Sequence, residues 1–299
     1  MHNIRRIIIG IIVAFTLAGC NGRDDTQTYR PEGTAVEQKT YIVGIHPYLN
    51  TKKMYLSYRP IFDYIESKIE GVRFELETSK DYPSYDKKLY KRRFHFALPN
   101  PFQTVNSFQH GYIPIARMKP DTVFRGIFVA RKDTKLTSVS QLKGNKVSFP
   151  APTALAATMM PLYYLHMHGL DTKNDITKKF VGSQYSSIMN AYSGDTVAGA
   201  TWPPPWEQWC KENPDKAEQM ELVWETEPLV YNGFTVRDDV DMELARRLAD
   251  VLVGLDEEPH SKLLLDDAGF AGFVSADAAS FQPVLDFLRD YDKAIGLPK

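Results

Sequence analysis

The chain has 299 residues, 43% of them hydrophobic and 24% charged, with 36 basic against 37 acidic side chains for a formal charge of −1. That length exceeds one ordinary core and suits two lobes. The even charge balance excludes a global field directed at nucleic acid or an anionic membrane surface.

Arg5 and Arg6 precede the apolar run from Ile7 to Ala18, which is short for a transmembrane span and ends at small residues. This reads as a signal peptide over residues 1–19. The junction Leu17-Ala18-Gly19-Cys20 resembles the lipobox of bacterial lipoproteins. The match implies that Cys20 is lipidated and becomes the mature N-terminus, anchored at the periplasmic or cell-surface side of a membrane. Without residues 1–19 two basic side chains are lost, leaving 34 against 37 acidic, a charge of −3. Residues 21–40 are polar and aperiodic, with Pro31 and Gly33, and read with Cys20 as a flexible tether over 20–40. Fully extended, it spans roughly 65 Å. Cys210 then stands alone, so no internal disulfide is expected and buried packing is its simplest role.

From Tyr41 the chain alternates. Tyr41 to Ile45 reads as a strand, His46-Pro47-Tyr48 as a turn, and a helix follows to about Ile69 with Ile61, Ile65 and Ile69 at helical spacing. Val72 to Leu76 is a second strand, Ser79 to Pro83 a turn, and Ser84 to Arg93 a basic helix whose lysines and arginines form a solvated face. Phe94 to Leu98 is a third strand, followed by Asn100-Pro101, a cap and a first-turn proline, opening a helix that stops at Gly111. Gly126 to Arg131 is a strand and Ser138 to Leu142 a helical turn. Lys146 to Phe149 is a buried strand leading through a Pro-bounded turn into a helix expected to open at Thr153. There the Thr153 hydroxyl would cap the first turn, leaving the N–H groups of Ala154, Leu155 and Ala156 free for a ligand. Lys178 to Val181 is a strand, and Ser183 caps the next helix. After Val197 to Ala200, the run Trp202-Pro203-Pro204-Pro205-Trp206 reads as a stiff loop presenting aromatics. Leu222 to Trp224 and Val230 to Arg237 are strands, Asp241 to Leu255 is an amphipathic helix, and the remainder is helical.

Strand and helix alternation predicts α/β architecture with mostly parallel sheets. Capped turns at Asn100, Thr153 and Ser183 fall in two halves of the chain, which suits a cleft between two lobes with helix N-termini converging on it. There is no Ser/His/Asp order, no Gly-rich phosphate loop and no paired Cys at metal spacing, and His166 and His168 do not share a helix face. Neither cofactor nor metal nor catalysis is expected.

The ordered stretches GIHPY, YRPIFDYIE, SKDYPSY, FALPNPFQTV, GIFVARKDTKLTSVSQLKGNKVSF, MMPLYYLHMHGLD, KFVGSQYSSIMNAYSGD and VWETEPLVYNGFTVRDD resemble, co-linearly over nearly the whole mature chain, the phosphate/phosphite/phosphonate-binding family of ABC-importer solute receptors. The resemblance implies a type II periplasmic-binding-protein fold: two α/β lobes, residues 41–127 plus 229–299 and residues 128–228, joined by a two-stranded hinge. It implies a small-molecule solute, an oxyanion or other small polar ligand, bound between the lobes without chemistry. The implied partners are an ABC permease and its ATPase, with no nucleic acid. The alternative is a periplasmic module that senses a ligand, caged by aromatics, and signals to a membrane protein. Tyr48, Tyr82 and Asn100-Pro101-Phe102 match the family on the first-lobe side. On the second, Thr153, Ala154 and Leu155 stand where the family has a hydroxyl-rich run, Gln184 follows Ser183 where it tends to have His, and Trp202 stands where it often has Asp. With Tyr185 these are the ligand-binding candidates. Trp206 joins Tyr48, Tyr82, Tyr185 and Trp202 as a candidate aromatic wall.

Overall fold

The computed structural model describes residues 38–298; the basic and apolar leader, Cys20 and the tether as far as residue 37 lie outside them. In chain order the strands are β1 (Lys39–Ile45), β2 (Val72–Glu77), β3 (Phe96–Leu98), β4 (Tyr112–Met118), β5 (Ile127–Arg131), β6 (Lys146–Phe149), β7 (Thr177–Phe180), β8 (Ala198–Thr201), β9 (Met220–Glu225), β10 (Gly233–Arg237) and β11 (Phe273–Ser275). They form two sheets, ordered β11-β4-β10-β3-β1-β2 and β7-β6-β8-β5-β9.

The sheets are mixed, which corrects the expectation of mostly parallel pairing. β1 pairs in parallel with β2 and β3, and β6 with β7 and β8, as strand–helix–strand units require. β10 and β5 run antiparallel to both of their neighbours. The reason is topological: each enters its sheet directly from the other sheet, with no crossover helix to set its direction. β4 had no counterpart in the sequence reading, because Pro114 sits inside it. Proline removes a ladder donor and normally marks an edge. Here the register between β10 and β4 shifts at Phe234/Thr235, next to Pro114, so the missing donor falls at an irregularity.

The two connections between the sheets, residues 119–126 and 226–232, are tied to each other. The Gly126 N–H donates to Thr226 Oγ1 at 3.0 Å, the Thr226 N–H to the Gly126 carbonyl at 2.9 Å, and the Leu229 N–H to the Phe124 carbonyl at 2.9 Å. Two short crossings bonded side by side form the pivot of a two-lobed molecule.

Helices α1 (Thr51–Lys68), α2 (Tyr82–Tyr90) and α3 (Pro101–Ser107) follow strands of the first sheet. α4 begins as a π turn over Leu155–Met159 and continues as Met160–Met167; α5 (Gln184–Tyr192) and α6 (Pro203–Glu212) complete the second lobe's cleft side. The Pro203-Pro204-Pro205 run is therefore helical, contrary to the loop expectation. All three prolines occupy the first turn, where N–H groups have no helical acceptor and the fixed φ already suits a helix. No described helix is long and apolar enough to cross a membrane.

Second-lobe packing fixes α5 closely. Ser148 Oγ donates to the Ser187 carbonyl at 2.9 Å and Ser187 Oγ to the Ala200 carbonyl at 2.7 Å, both fully buried. Gly199 lies under this contact, where an added methyl would overlap the Ser187 carbonyl. Gly199→Ala should therefore destabilise the protein by about 1–3 kcal/mol, read as a lower midpoint in urea unfolding with the slope unchanged.

Candidate functional site

The end of β3 leads through Asn100 into α3, and the end of β6 leads through Pro150 to Pro152 into α4, so both turns project from sheet ends toward the gap between lobes. Asn100 makes a complete capping box: its Oδ1 accepts from the Gln103 N–H at 3.0 Å, and Gln103 Oε1 accepts from the Asn100 N–H at 3.0 Å. The remaining amide donor of Asn100 crosses the gap to the Thr153 carbonyl at 3.1 Å.

Thr153 does not cap its helix as the sequence predicts. The cap residue is Ala154, with no side-chain cap bond, and the Ala154 N–H is taken by the Ala151 carbonyl at 3.1 Å. The cause lies across the gap: Thr153 Oγ1 donates to Asp86 Oδ2 at 3.3 Å, while Gln103 Nε2 donates to Asp86 Oδ1 at 2.6 Å. Asn100, Gln103, Asp86 and Thr153 thus form one latch between lobes. The free donors of α4 move one residue on, to Leu155, Ala156 and Ala157. The Thr158 and Met159 N–H groups both return to the Ala154 carbonyl, at 2.8 and 3.3 Å.

These three residues border a cavity of about 10 Å³ lined also by His46, Tyr82, Asn100, Phe124, Gln184 and Trp202. Space of that size suits one water-sized group, so a larger guest enters only as the lobes part. The Gln184 amide spans the gap: it accepts from Thr201 Oγ1 at 2.9 Å and donates to the Tyr82 hydroxyl at 3.2 Å. Since that hydroxyl is acting as acceptor, its own proton is left for a partner in the cavity. Burial pushes the Tyr82 pKa well up, so the proton stays on. The His46 ring is buried, stacks on Tyr48 at 5.2 Å and has Nδ1 3.0 Å from the Leu98 carbonyl. A carbonyl only accepts, so Nδ1 carries the proton and Nε2 a lone pair. Burial lowers its pKa to about 4, keeping it neutral at physiological pH. Trp202 closes the cavity wall, with Tyr48, Phe124 and Tyr231 rings 5.6 to 5.9 Å from it.

Of the residues singled out from sequence, Tyr82, Asn100, Leu155, Gln184 and Trp202 meet at this cavity. Thr153 and Ala154 stand just behind it in the latch and the cap. Tyr48 spends its hydroxyl on Tyr58 at 3.0 Å and, with Ser183 and Tyr185, borders a separate outer chamber. Pro101 and Phe102 are buried in α3 and border neither space. Trp206 stacks on Trp209 at 5.4 Å in the small second-lobe core and is no cleft wall. His46, Phe124, Ala157 and Asp86 had not been singled out. His46 carries a readable signal, a titratable ring ending a strand; the others depend on tertiary placement.

A model of the family described as "ABC transporter, phosphonate, periplasmic substrate-binding protein" matches residues 43–281. The chain belongs to this family. As a phosphonate-family substrate-binding protein it is 29% identical over 204 residues to the probable ABC transporter phosphite binding protein PhnD1 of Prochlorococcus marinus (strain MIT 9301), covering 64% of this chain and 67% of that protein. The solved structure of PhnD1 in complex with methylphosphonate superposes with a TM-score of 0.77 at 21% identity, over 85% of this chain and 99% of that one. A binding protein component of an ABC phosphonate transporter from Pseudomonas aeruginosa, PA3383, gives a TM-score of 0.78 at 14% identity, over 86% and 88%. The fold is that of type II periplasmic binding proteins.

Asp86 and His46 make opposing contributions to stability against pH. Burial raises the Asp86 pKa to about 6, against the hydrogen bonds from Gln103 and Thr153 that oppose the rise. Between about pH 4 and 6 the native state therefore binds the proton that the unfolded state releases, and stability falls as pH rises. His46, depressed to about 4, does the reverse: the unfolded state binds the proton over about pH 4 to 6.5, and stability climbs with pH. In Asp86→Asn the amide oxygen still accepts from Gln103 while the amide nitrogen donates to Thr153 Oγ1, reversing that bond, so the latch is retained and the first contribution is removed. Its stability should rise more steeply from pH 4 to 6.5 than that of the unaltered protein, ending about 1–2 kcal/mol ahead at pH 7.5. Parallel urea-unfolding curves across that range would exclude this assignment.

Proposed function

We propose that this substrate-binding protein captures a small phosphorus oxyanion bearing one proton, a phosphonate or phosphite monoanion, between lobes 41–127 plus 229–299 and 128–228, and delivers it to an ABC permease and ATPase without chemical change. The observation that carries this reading is the unpaired trio of N–H groups at Leu155, Ala156 and Ala157, on residues that line the same cavity as Tyr82. A helix N-terminus with open amides favours an anion even with no lysine or arginine in the wall. His46 Nε2 adds an acceptor, which suits an oxygen carrying hydrogen and opposes a fully ionised anion such as sulfate. The relatives described as binding phosphite and methylphosphonate support the same class.

Calorimetric titration of the purified protein with methylphosphonate, phosphite and sulfate tests this: the first two should bind and sulfate should not. Leu155→Pro and Leu155→Ala form the decisive pair. Both remove the isobutyl group, but only proline replaces the N–H with a ring carbon, at a first-turn position whose preceding residue is already extended. The proline variant should bind methylphosphonate about tenfold or more weakly than the alanine variant, the worth of one hydrogen bond to a charged group. Equal affinities would remove the helix amides from the site.

The leader and Cys20 support a lipid-anchored receptor in the periplasm or at the cell surface. In cells expressing the full chain, Cys20→Ser should move the protein from the membrane pellet to the soluble fraction; retention in the pellet would exclude anchoring through Cys20.

A further inference from the structure

Tyr82 and Gln184 line the inner cavity, and a third side chain behind them, Thr201, does not. Thr201 is the last residue of β8 and is fully buried. Its Oγ1 donates to Gln184 Oε1 at 2.9 Å, and Gln184 Nε2 donates to the Tyr82 hydroxyl at 3.2 Å. Among the described residues neither hydroxyl makes another hydrogen bond.

A primary amide accepts at its oxygen and donates at its nitrogen, so a hydroxyl–amide–hydroxyl chain can run in either direction. In the direction found, Thr201 spends its proton on the amide oxygen, and the proton left over is that of Tyr82, on a residue that lines the cavity. With the amide turned over, Tyr82 would donate to the amide oxygen and the amide nitrogen to Thr201. The proton left over would then be that of Thr201, which is out of solvent and has no other partner among the described residues. A buried donor without an acceptor is costly, whereas a phenol at the cavity can be paired by a solute. Thr201 thus sets the direction of the whole chain. Neither Thr201 nor Gln184 titrates, and burial pushes the Tyr82 phenol well up, so that direction holds across physiological pH.

We propose that Thr201 is a positioning residue for anion capture: acting through the Gln184 amide, it leaves the Tyr82 phenol as a donor for the solute's oxygen. A phenol is a better donor than acceptor, so without the threonine hydroxyl Gln184 turns over and Tyr82 spends its proton on the protein. This rests on the phosphonate reading of the cavity and adds to it a residue that touches no solute.

The test is a double-mutant cycle read by calorimetry with methylphosphonate. Tyr82→Phe should weaken binding roughly tenfold, the worth of one hydrogen bond to a charged group, and Thr201→Val by roughly threefold or more. The double variant should bind no more weakly than Tyr82→Phe alone, because the residue through which Thr201 acts no longer has a proton to offer. Thr201→Ser, which keeps the hydroxyl, should restore the unaltered affinity. Should Thr201→Val fold poorly alone, Gln184→Met gives a second reading: with the amide gone, adding Thr201→Val should leave methylphosphonate affinity where Gln184→Met set it. Losses that multiply in the double variant, no loss in Thr201→Val, or a further loss on the Gln184→Met background overturn the positioning role and leave the phosphonate reading standing. Failure of the unaltered protein to bind methylphosphonate overturns both.

Discussion

The proposed site depends on three amide hydrogens that the fold cannot use. β6 delivers the chain to Pro150-Ala151-Pro152, whose prolines donate nothing, and α4 then begins with a π turn whose first bonds converge on the Ala154 carbonyl. Leu155, Ala156 and Ala157 are left with donors and almost no side-chain bulk at two of the three positions. Orphan donors shut away from water are costly, so the closed arrangement is satisfied only with an acceptor against them. On the proposed reading binding and closure are one event, since the guest that pairs the amides is also what the lobes meet around.

The pivot is built into the same contact. Gly126, on the first crossing, packs against the Ala156 carbonyl and Pro161 so closely that a methyl group there would overlap both. The crossing next bonds to Thr226 on the second crossing. A displacement of the α4 start is thus felt directly by the segment about which the lobes turn. Around the cleft the lobes meet through polar bonds, the Asn100 and Asp86 latch to Thr153, the Gln184 bond to Tyr82 and the Lys53 pair with Glu212, and through aromatic contacts, Tyr48 with Trp202 at 5.6 Å and Tyr163 with Phe287 at 5.5 Å. Water can replace each of the polar bonds when the lobes separate.

Much of this was legible in the sequence, and the failures have local causes. Ser183 and Asn100 were readable as caps because each cap is made within four residues, and both form as expected. Thr153 has the same residue type in the same setting, yet its hydroxyl is drawn away by Asp86, 67 positions earlier in the chain. No local pattern records that competition. The proline run at 203–205 misled in the opposite sense: a residue that breaks helices in the middle starts one at the end. Pro114 hid β4 because the sheet irregularity that accommodates it lies on a distant strand. The outer chamber was invisible as such, since its lining comes from α1, the turn after β2, α5 and α6.

The departures from the family pattern read differently once placed. Gln184 and Trp202 replace groups that would carry or accept charge, and the inner cavity is walled without a single ionised side chain. Neutrality has a physical use here. A fixed cation in a dry pocket must be desolvated whether or not ligand is present, while amides, a phenol and a neutral imidazole cost little when the cleft is open to water. On the proposed reading selectivity comes from the balance of donors and acceptors: four donors for oxygen and, in His46, one acceptor held in its tautomer by the Leu98 carbonyl.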